Sequence, residues 1–476
     1  MWDKCGVIGI VSTEDVATPI FYGLRALQHR GQESAGISIL AEGGAVRTHK
    51  ALGLVDQAFT SEDLARLSGR LGIGHVRYGT AGGRGVENAQ PLSVESVVGT
   101  VALAHNGDVV NAPEHRERLK LKGWGFVSEN DSEVVVRMLA NELAQTHNPV
   151  KAIKDLMSKI RGAYCFLFII GERLFAVRDP LAIKPLVLGE VDGSYIVASE
   201  TTALDVLGAE YIRDVEPGEI LELTPHGFES HSVANEGSTA HCFFEHVYFA
   251  RSDSVLDGVL VHDARSRIGA RLWEESPADV DIVVPVPDSG RAGAQGLAEA
   301  ADLPYKEALI KNRYVHRTFI MPGQDTRELN VKLKLNPIKR FIEGRRVMLV
   351  DDSIVRGTTM RRIVHLLRDA GAKEVHVRIT SPPIVSPCYL GIDMHTRDQL
   401  VAANHSVDEI RTMIDADSLA FVSLPGLVGA LGFSQNSLCL GCVTGAYPVE
   451  IPGERLRSQT SLGQFKEAGK VEKKTV

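Results

Sequence analysis

The stretch "VMLVDDSIVRGTT" (347–359) restricts the fold of this chain more than any other. Its apolar opening, 347–350, reads as a strand buried on both faces. A turn of aspartate, serine and glycine follows. "TTMRRIVHLLRDAG" then sets Met360, Ile363, Val364 and Leu367 on one helical stripe, with Gly371 as the stop. The next run, "KEVHVRIT", is strand-like again. Strand, helix and strand in that order make a βαβ unit, which commits the region to a mostly parallel sheet. Upstream, "DIVVPVP" and "GAQGLAEAADL" supply another strand and helix of the same kind.

Open parallel sheets bind ligands beyond the carboxyl ends of their strands, where this loop begins. Backbone N–H groups and hydroxyls of Ser353, Gly357, Thr358 and Thr359 can wrap a phosphate, assisted by the helix dipole. Asp351 and Asp352, ionised, only accept hydrogen bonds. Carboxylates beside a phosphate cradle suit a ligand that also offers hydroxyls or arrives with Mg²⁺, as a sugar phosphate does. An acidic pair that merely caps a helix is the plainer reading, but the whole loop at a strand–helix junction outweighs it. No G-x-x-x-x-G-K-[ST] occurs, and "GIGHVR" fails as a dinucleotide fingerprint because Arg77 takes the third glycine's place.

The first half of the chain is patterned differently. "CGVIGIVS", "AGISILAEGG", "LGIGHVRYG", "TVALAHNGDVV" and "GAYCFLFIIGERLFAVRD" are short apolar runs parted by turn residues, the pattern of antiparallel sheets. A helix is expected over 133–145. Near residue 236, "VANEGSTAHC" turns polar, which sets a domain junction there. With 476 residues there is length for two or three cores. A net charge of −8 argues against broad attraction to nucleic acid or an anionic membrane. No run approaches the ~20 apolar residues of a membrane span, and the start lacks the features of a secretory signal. A cytoplasmic protein is expected.

Cys5 raises a chemical question. A free thiol is most often a small buried side chain. As residue one, however, a cysteine could use its own α-amine as general base. That amine titrates near ~8 and a thiol near ~8.5, so the pair can exchange a proton at neutral pH. While residues 1–4 are attached the amine is an amide. If Cys5 is the nucleophile, the leader must be removed.

Taken together, the loop at 347–359 looks like the phosphoribosyl pyrophosphate (PRPP) motif of type I phosphoribosyltransferases. With "CGVIGI", "LQHRGQESAG", "GHVRYGT", "HNGD", "ENDSE", "KNRYVHRTFI" and "CLGCVTGAYP", the chain resembles the amidophosphoribosyltransferases from Cys5 to about Ile451. The resemblance implies an α+β N-terminal-nucleophile (Ntn) hydrolase sandwich followed by an α/β phosphoribosyltransferase domain. The expected division is a 1–4 propeptide, a 5–236 glutaminase domain, a 237–455 phosphoribosyltransferase domain and a disordered 456–476 tail.

The implied chemistry runs from glutamine, PRPP and water to 5-phosphoribosylamine, glutamate and pyrophosphate, at the committing step of purine synthesis. Cys5 attacks the carboxamide to give a thioester and ammonia. The Asn106 side chain and the Gly107 N–H receive the oxyanion. Arg77 takes the substrate carboxylate and Asp131 its ammonium, with Arg30 in support. In the second half, Asp351, Asp352 and Ser289 surround Mg²⁺ and pyrophosphate. Ser289 also reads as a helix N-cap. Lys311, Arg313 and Arg317 form a basic lid. Two positions depart from the family pattern: Gly79, where a small hydroxyl residue is expected, and His316, where glycine is.

Of the remaining cysteines, Cys165 sits in an apolar run and reads as core. Cys242, Cys388, Cys439 and Cys442 would serve Zn²⁺ or an iron–sulfur cluster equally well on chemistry alone. The family resemblance breaks the tie, because one of its branches pairs a cleaved leader with a [4Fe–4S] cluster. It also implies feedback inhibition by AMP and GMP and a homotetramer or dimer, without nucleic-acid or membrane partners. Two rivals are another Ntn amidotransferase, such as a hexosamine-phosphate or asparagine synthetase, and a non-catalytic PRPP-sensing regulator. The PRPP loop disfavours the first, and the front-half motifs with the acidic balance disfavour the second.

Overall fold

A computed structural model describes residues 5–78, 85–232, 237–312, 335–392, 394 and 396–452. The first lobe is two antiparallel sheets packed face to face. Its strands are β1 (Gly6–Val11), β2 (Ser34–Leu40), β3 (Val46–Leu52), β4 (Leu71–Arg77), β5 (Leu92–Ser96), β6 (Gly99–Val109), β7 (Gly162–Ile170), β8 (Arg173–Arg178), β9 (Val187–Val191), β10 (Ser194–Ala198), β11 (Glu210–Asp214), β12 (Glu219–Thr224) and β13 (Gly227–Ser232). One sheet runs β11-β9-β10-β1-β4-β2-β3 and the other β13-β12-β8-β7-β6-β5.

Each sheet is covered twice, which explains why strands such as β7 are apolar throughout rather than alternating. Val7, Ile73, Ala104, Leu167 and Leu188 fill the space between the sheets. The helix Ala17–Ala26 covers the outer face of the first sheet. Helices Asp131–Thr146 and Pro149–Met157 cover the second. The layer order is therefore helix, sheet, sheet, helix. The helix expected over 133–145 is the core of Asp131–Thr146.

The second lobe centres on a four-stranded sheet of Ile282–Pro285, Arg346–Asp351, Glu374–Ile379 and Ser418–Phe421, all parallel. The helix Thr358–Asp369 buries Met360, Ile363, Val364 and Leu367 against one face, and Gly371 follows it at φ +91°. Helices Val261–Glu275 and Gly290–Ala301 cover the other face and pack closely on each other. A Cβ on Gly269 would lie 1.8 Å from the Gly293 carbonyl oxygen, so only glycine permits that approach.

The lobes share a core. Ala163 and Ile183 of the first pack in one cluster with Phe243, Val247, Ile384 and Leu390 of the second. The junction expected near 236 falls beside 233–236, outside the described residues, as do the leader and the tail from 453 on. Among the described residues, no helix is long and apolar enough to cross a membrane.

Candidate functional site

Cys5 precedes β1 and faces the end of β4, because the ladder pairs Gly6 with Val76 and continues in register. Burial pushes its thiol up, while a backbone hydrogen bond from Tyr78 and the charge of Arg77 pull it down; Asp131 and Arg30 are also close enough to act on it. Three sequence-expected partners, Arg77, Asp131 and Arg30, thus act on one thiol.

Asn106 and Gly107 lie on β6 in the facing sheet. Asn106 is only 1 % exposed, and its Nδ2 has no hydrogen-bond partner among the described residues. A buried amide donor left unmade costs about 1–3 kcal/mol, so the fold maintains it at a loss. Gly107 has φ +153°, and a Cβ there would sit 1.9 Å from the Ala163 carbonyl oxygen. The second lobe reaches this turn as well: a Cβ on Gly391 would come within 3.1 Å of the Gly107 carbonyl carbon.

Two buried histidines hold β6 in place. His75 Nε2 meets the His105 carbonyl oxygen at 3.0 Å, tying β4 to β6 across the sandwich. Burial depresses His75 to about 3, so it is a neutral donor there. His105 Nδ1 pairs with Ser132 Oγ at 2.9 Å, and Gln90 Nε2 donates to the same hydroxyl at 3.0 Å. Ser132 adjoins Asp131 in the first turn of its helix, whose N-terminus is capped by Asn130 accepting from Ser132 N. Asp131 Oδ2 accepts from Val109 N at 2.9 Å, which fixes the carboxylate. Arg77 is nearly buried and its Nη1 donates to Glu33 at 3.2 Å.

Arg30 is enclosed completely. Nε donates to the Cys5 carbonyl oxygen at 3.1 Å, Nη1 to Glu200, and Nη2 to both oxygens of Glu245. Glu200 also accepts from Ser254 Oγ and Arg251 N and meets His29 Nε2 at 2.8 Å. Despite burial, these cations and hydrogen bonds hold the Glu200 carboxyl far below its usual range. Lys184 Nζ stands 4.0 Å from Glu245.

In the second lobe the expected phosphate loop closes the strand Arg346–Asp351. Gly357 takes a left-handed φ of +74° as N-cap of the following helix. That helix start has neither a side-chain cap nor an acidic first turn, so its N–H groups and the exposed Thr358 and Thr359 face outward. Asp351 and Asp352 are buried side by side; burial and then the Asp352 charge push the Asp351 carboxyl well up. Ser289 Oγ and Ser353 Oγ both donate to Asp352. Ser289 therefore stands at the N-cap position without capping, since its hydroxyl is turned to the aspartate. Lys311 Nζ pairs with Asp288 at 2.8 Å in the same turn. Such a pair of carboxylates, eased by the two serine hydroxyls and by Asp352 N donating to Asp351 Oδ1 at 2.9 Å, fits a divalent cation brought with a phosphate ligand. Arg313, His316, Arg317 and Gly79 lie outside the described residues.

The four cysteines converge. His241–Cys242 pairs in parallel with Leu438–Cys439, register Cys242 to Cys439. The Cys442 carbonyl oxygen accepts from Val385 N and Ser386 N, just before Cys388. Burial, then the neighbouring Cys242 and Cys388 thiols, push Cys439 up to about 12, and Cys442 is raised by burial and the other three. Among the described residues no three His, Cys, Asp or Glu groups are close enough to hold a single ion. Four thiols gathered at the lobe junction are an all-sulfur donor set, which suits Zn²⁺ or an iron–sulfur centre. Cys165 is core, fully buried, its thiol raised beyond the usual range by burial.

Glu200, Glu245, His75 and Lys184 were not anticipated from sequence. For Glu245 a signal existed: a lone carboxylate inside "CFFEHVYF" needs a buried partner.

A family model described as a glutamine amidotransferase domain matches residues 83–206, and one described as a phosphoribosyl transferase domain matches 253–380. The chain is 50% identical over 457 residues to the amidophosphoribosyltransferase of Methanothermobacter thermautotrophicus, covering 95% of this chain and 96% of that one. It is 46% identical over 455 residues to that of Bacillus subtilis, covering 94% and 95%. Among solved structures, one described as the allosteric regulatory enzyme of purine biosynthesis superposes with a TM-score of 0.90 at 46% identity, covering 94% of this chain and 97% of that one. The glutamine PRPP amidotransferase from Bacillus subtilis complexed with ADP and GMP gives 0.89 at 45%, covering 94% and 98%.

Proposed function

This chain belongs to the amidophosphoribosyltransferase family, and from that premise we propose how its two sites divide the reaction. The enzyme forms 5-phosphoribosylamine from glutamine and PRPP, releasing glutamate and pyrophosphate, and so commits PRPP to purine synthesis.

In the first lobe, removal of residues 1–4 frees the α-amine of Cys5. The raised thiol stays protonated at neutral pH until that amine accepts its proton. The thiolate attacks the glutamine carboxamide, whose substrate carboxylate and ammonium meet Arg77 and Asp131. Charge on the former carbonyl oxygen is taken by Asn106 Nδ2 and the Gly107 N–H. The observation that carries this reading is the Asn106 amide, buried and unmatched among the described residues, on the strand whose Val109 N–H fixes Asp131, a carboxylate close enough to act on the Cys5 thiol.

In the second lobe, backbone N–H groups and hydroxyls of residues 353 and 357–359 hold the 5-phosphate. Asp351 and Asp352, steadied by Ser289, would hold Mg²⁺, which neutralises the departing pyrophosphate. Lys311 and Arg313 close over that anion. Ammonia in water near pH 7 is mostly protonated and inert, so it must pass between lobes through a shielded path formed on closure.

Cys242, Cys388, Cys439 and Cys442 would hold a [4Fe–4S] cluster that ties the junction to the C-terminal segment structurally. AMP and GMP are the proposed feedback inhibitors, a reading supported by the relative solved with ADP and GMP. A homotetramer or dimer in the cytoplasm completes the proposal. Replacing Cys5 with Ala tests the division of labour. Glutamine-dependent synthesis should vanish while ammonia-dependent synthesis persists; equal loss of both refutes it.

A further inference from the structure

Once a chain begins at Cys5, no preceding peptide anchors the nucleophile. Its main chain is then set by the β1 ladder on one side and by whatever holds its carbonyl. Arg30 Nε holds that carbonyl at 3.1 Å. A guanidinium this enclosed is aimed by its carboxylate partners, because Glu200 takes Nη1 and Glu245 takes Nη2, which together fix the plane that carries Nε.

The two partners differ. Glu200 belongs to the first lobe and is spoken for by His29, Ser254 and Arg251 as well. Glu245 belongs to the second lobe, three residues beyond Cys242, and accepts Arg30 Nη2 on both oxygens at 3.0 and 3.1 Å. It opens the turn Glu245–Phe249, a π-helical segment of a kind that gathers at functional sites. The turn is pinned from behind. Arg265, on the helix Val261–Glu275, donates to the His246 and Ala250 carbonyl oxygens at 2.8 Å each.

We propose that Glu245 is a positioning residue for glutamine hydrolysis: its carboxylate aims Arg30, and Arg30 fixes the Cys5 main chain so that the thiol meets the carboxamide opposite the Asn106 donor. The inference rests on Cys5 being the nucleophile. It makes completion of the glutaminase site depend on a side chain from the phosphoribosyl lobe. Arg30 is thus the joint between them.

Glu245→Gln keeps the side chain's size but turns one acceptor into a donor, which breaks the two-oxygen clamp. In the full-length processed enzyme, kcat for glutamine hydrolysis should fall on the order of 10–100-fold, the scale of a slightly misplaced reacting group. KM for glutamine should stay within about threefold, because Arg77 and Asp131 are untouched. Ammonia-dependent synthesis should stay within about twofold, which reports an intact fold. Arg30→Lys should behave alike, and the double variant should be no worse than the weaker single, as expected of residues acting in series. If Glu245→Gln yields no folded protein, Glu245→Asp is measured instead, with the same pattern at smaller amplitude.

A folded variant with hydrolysis within twofold of the unsubstituted enzyme overturns the proposal. So do parallel losses of both activities, or single losses that multiply. Cys5→Ala separates the two levels. If it retains hydrolysis, the nucleophile assignment fails; if it loses hydrolysis while Glu245→Gln does not, only the role of Glu245 falls.

Discussion

Asn106→Ala sets activity against stability at a single side chain. The amide is 1 % exposed and its Nδ2 bonds to nothing among the described residues. In the resting enzyme it is a cost of about 1–3 kcal/mol, which truncation relieves. Loss of packing by the same truncation is of similar size, so the two should offset to within about 1 kcal/mol and shift the melting temperature by at most about 3 °C. In the transition state the donor meets its partner for the first time. Removing one such donor typically slows acyl transfer by about 10²–10³, or roughly 2.7–4 kcal/mol. The backbone of Asn106 keeps its ladder partner Cys165 whatever the side chain is. Glutamate release from glutamine, ammonia-dependent synthesis and a thermal melt would be measured side by side. A loss of hydrolysis below about tenfold, or a melt lowered by many degrees with both activities failing, would refute the oxyanion role.

Other expectations are independent of that one. Glu200 has a depressed folded pKa, so its contribution to stability is complete above the ordinary glutamate range near ~4.5 and is lost as pH falls below it; melts of Glu200→Gln from pH 7 to 3 should be flatter than those of the unsubstituted protein. Gly107→Ala forces a Cβ to within 1.9 Å of the Ala163 carbonyl oxygen at φ +153°, and denaturant unfolding should show a loss of at least about 2 kcal/mol. Anaerobically purified enzyme should carry about four iron and four sulfide per chain and lose both in Cys439→Ser; a colourless zinc protein would contradict the cluster.

What the sequence made legible was chemistry written contiguously. The phosphate loop, its strand and its helix occupy one stretch, so residue type and order sufficed to find Asp351, Asp352, Gly357 and the Met360–Leu367 stripe. Turn-separated apolar runs announced antiparallel sheets for the same reason, while their stacking into a sandwich was implied by the family resemblance. Arg30 was singled out, but its partners were not, because Glu200 and Glu245 stand 170 and 215 residues away and leave no local trace. The short pairing that brings Cys242 to Cys439 is equally remote. Ser289 shows a subtler limit: the N-cap position was readable, but only the packed loop turns its hydroxyl to Asp352.

Intact-mass analysis of the purified enzyme, fractionated by its glutamine-dependent activity, tests the central claim most directly. Active fractions should begin at Cys5, with hydrolysis rising in proportion to the processed share while ammonia-dependent synthesis stays level. A chain that retains residues 1–4 and hydrolyses glutamine at full rate would contradict it, since the base assigned to the thiol would then not exist.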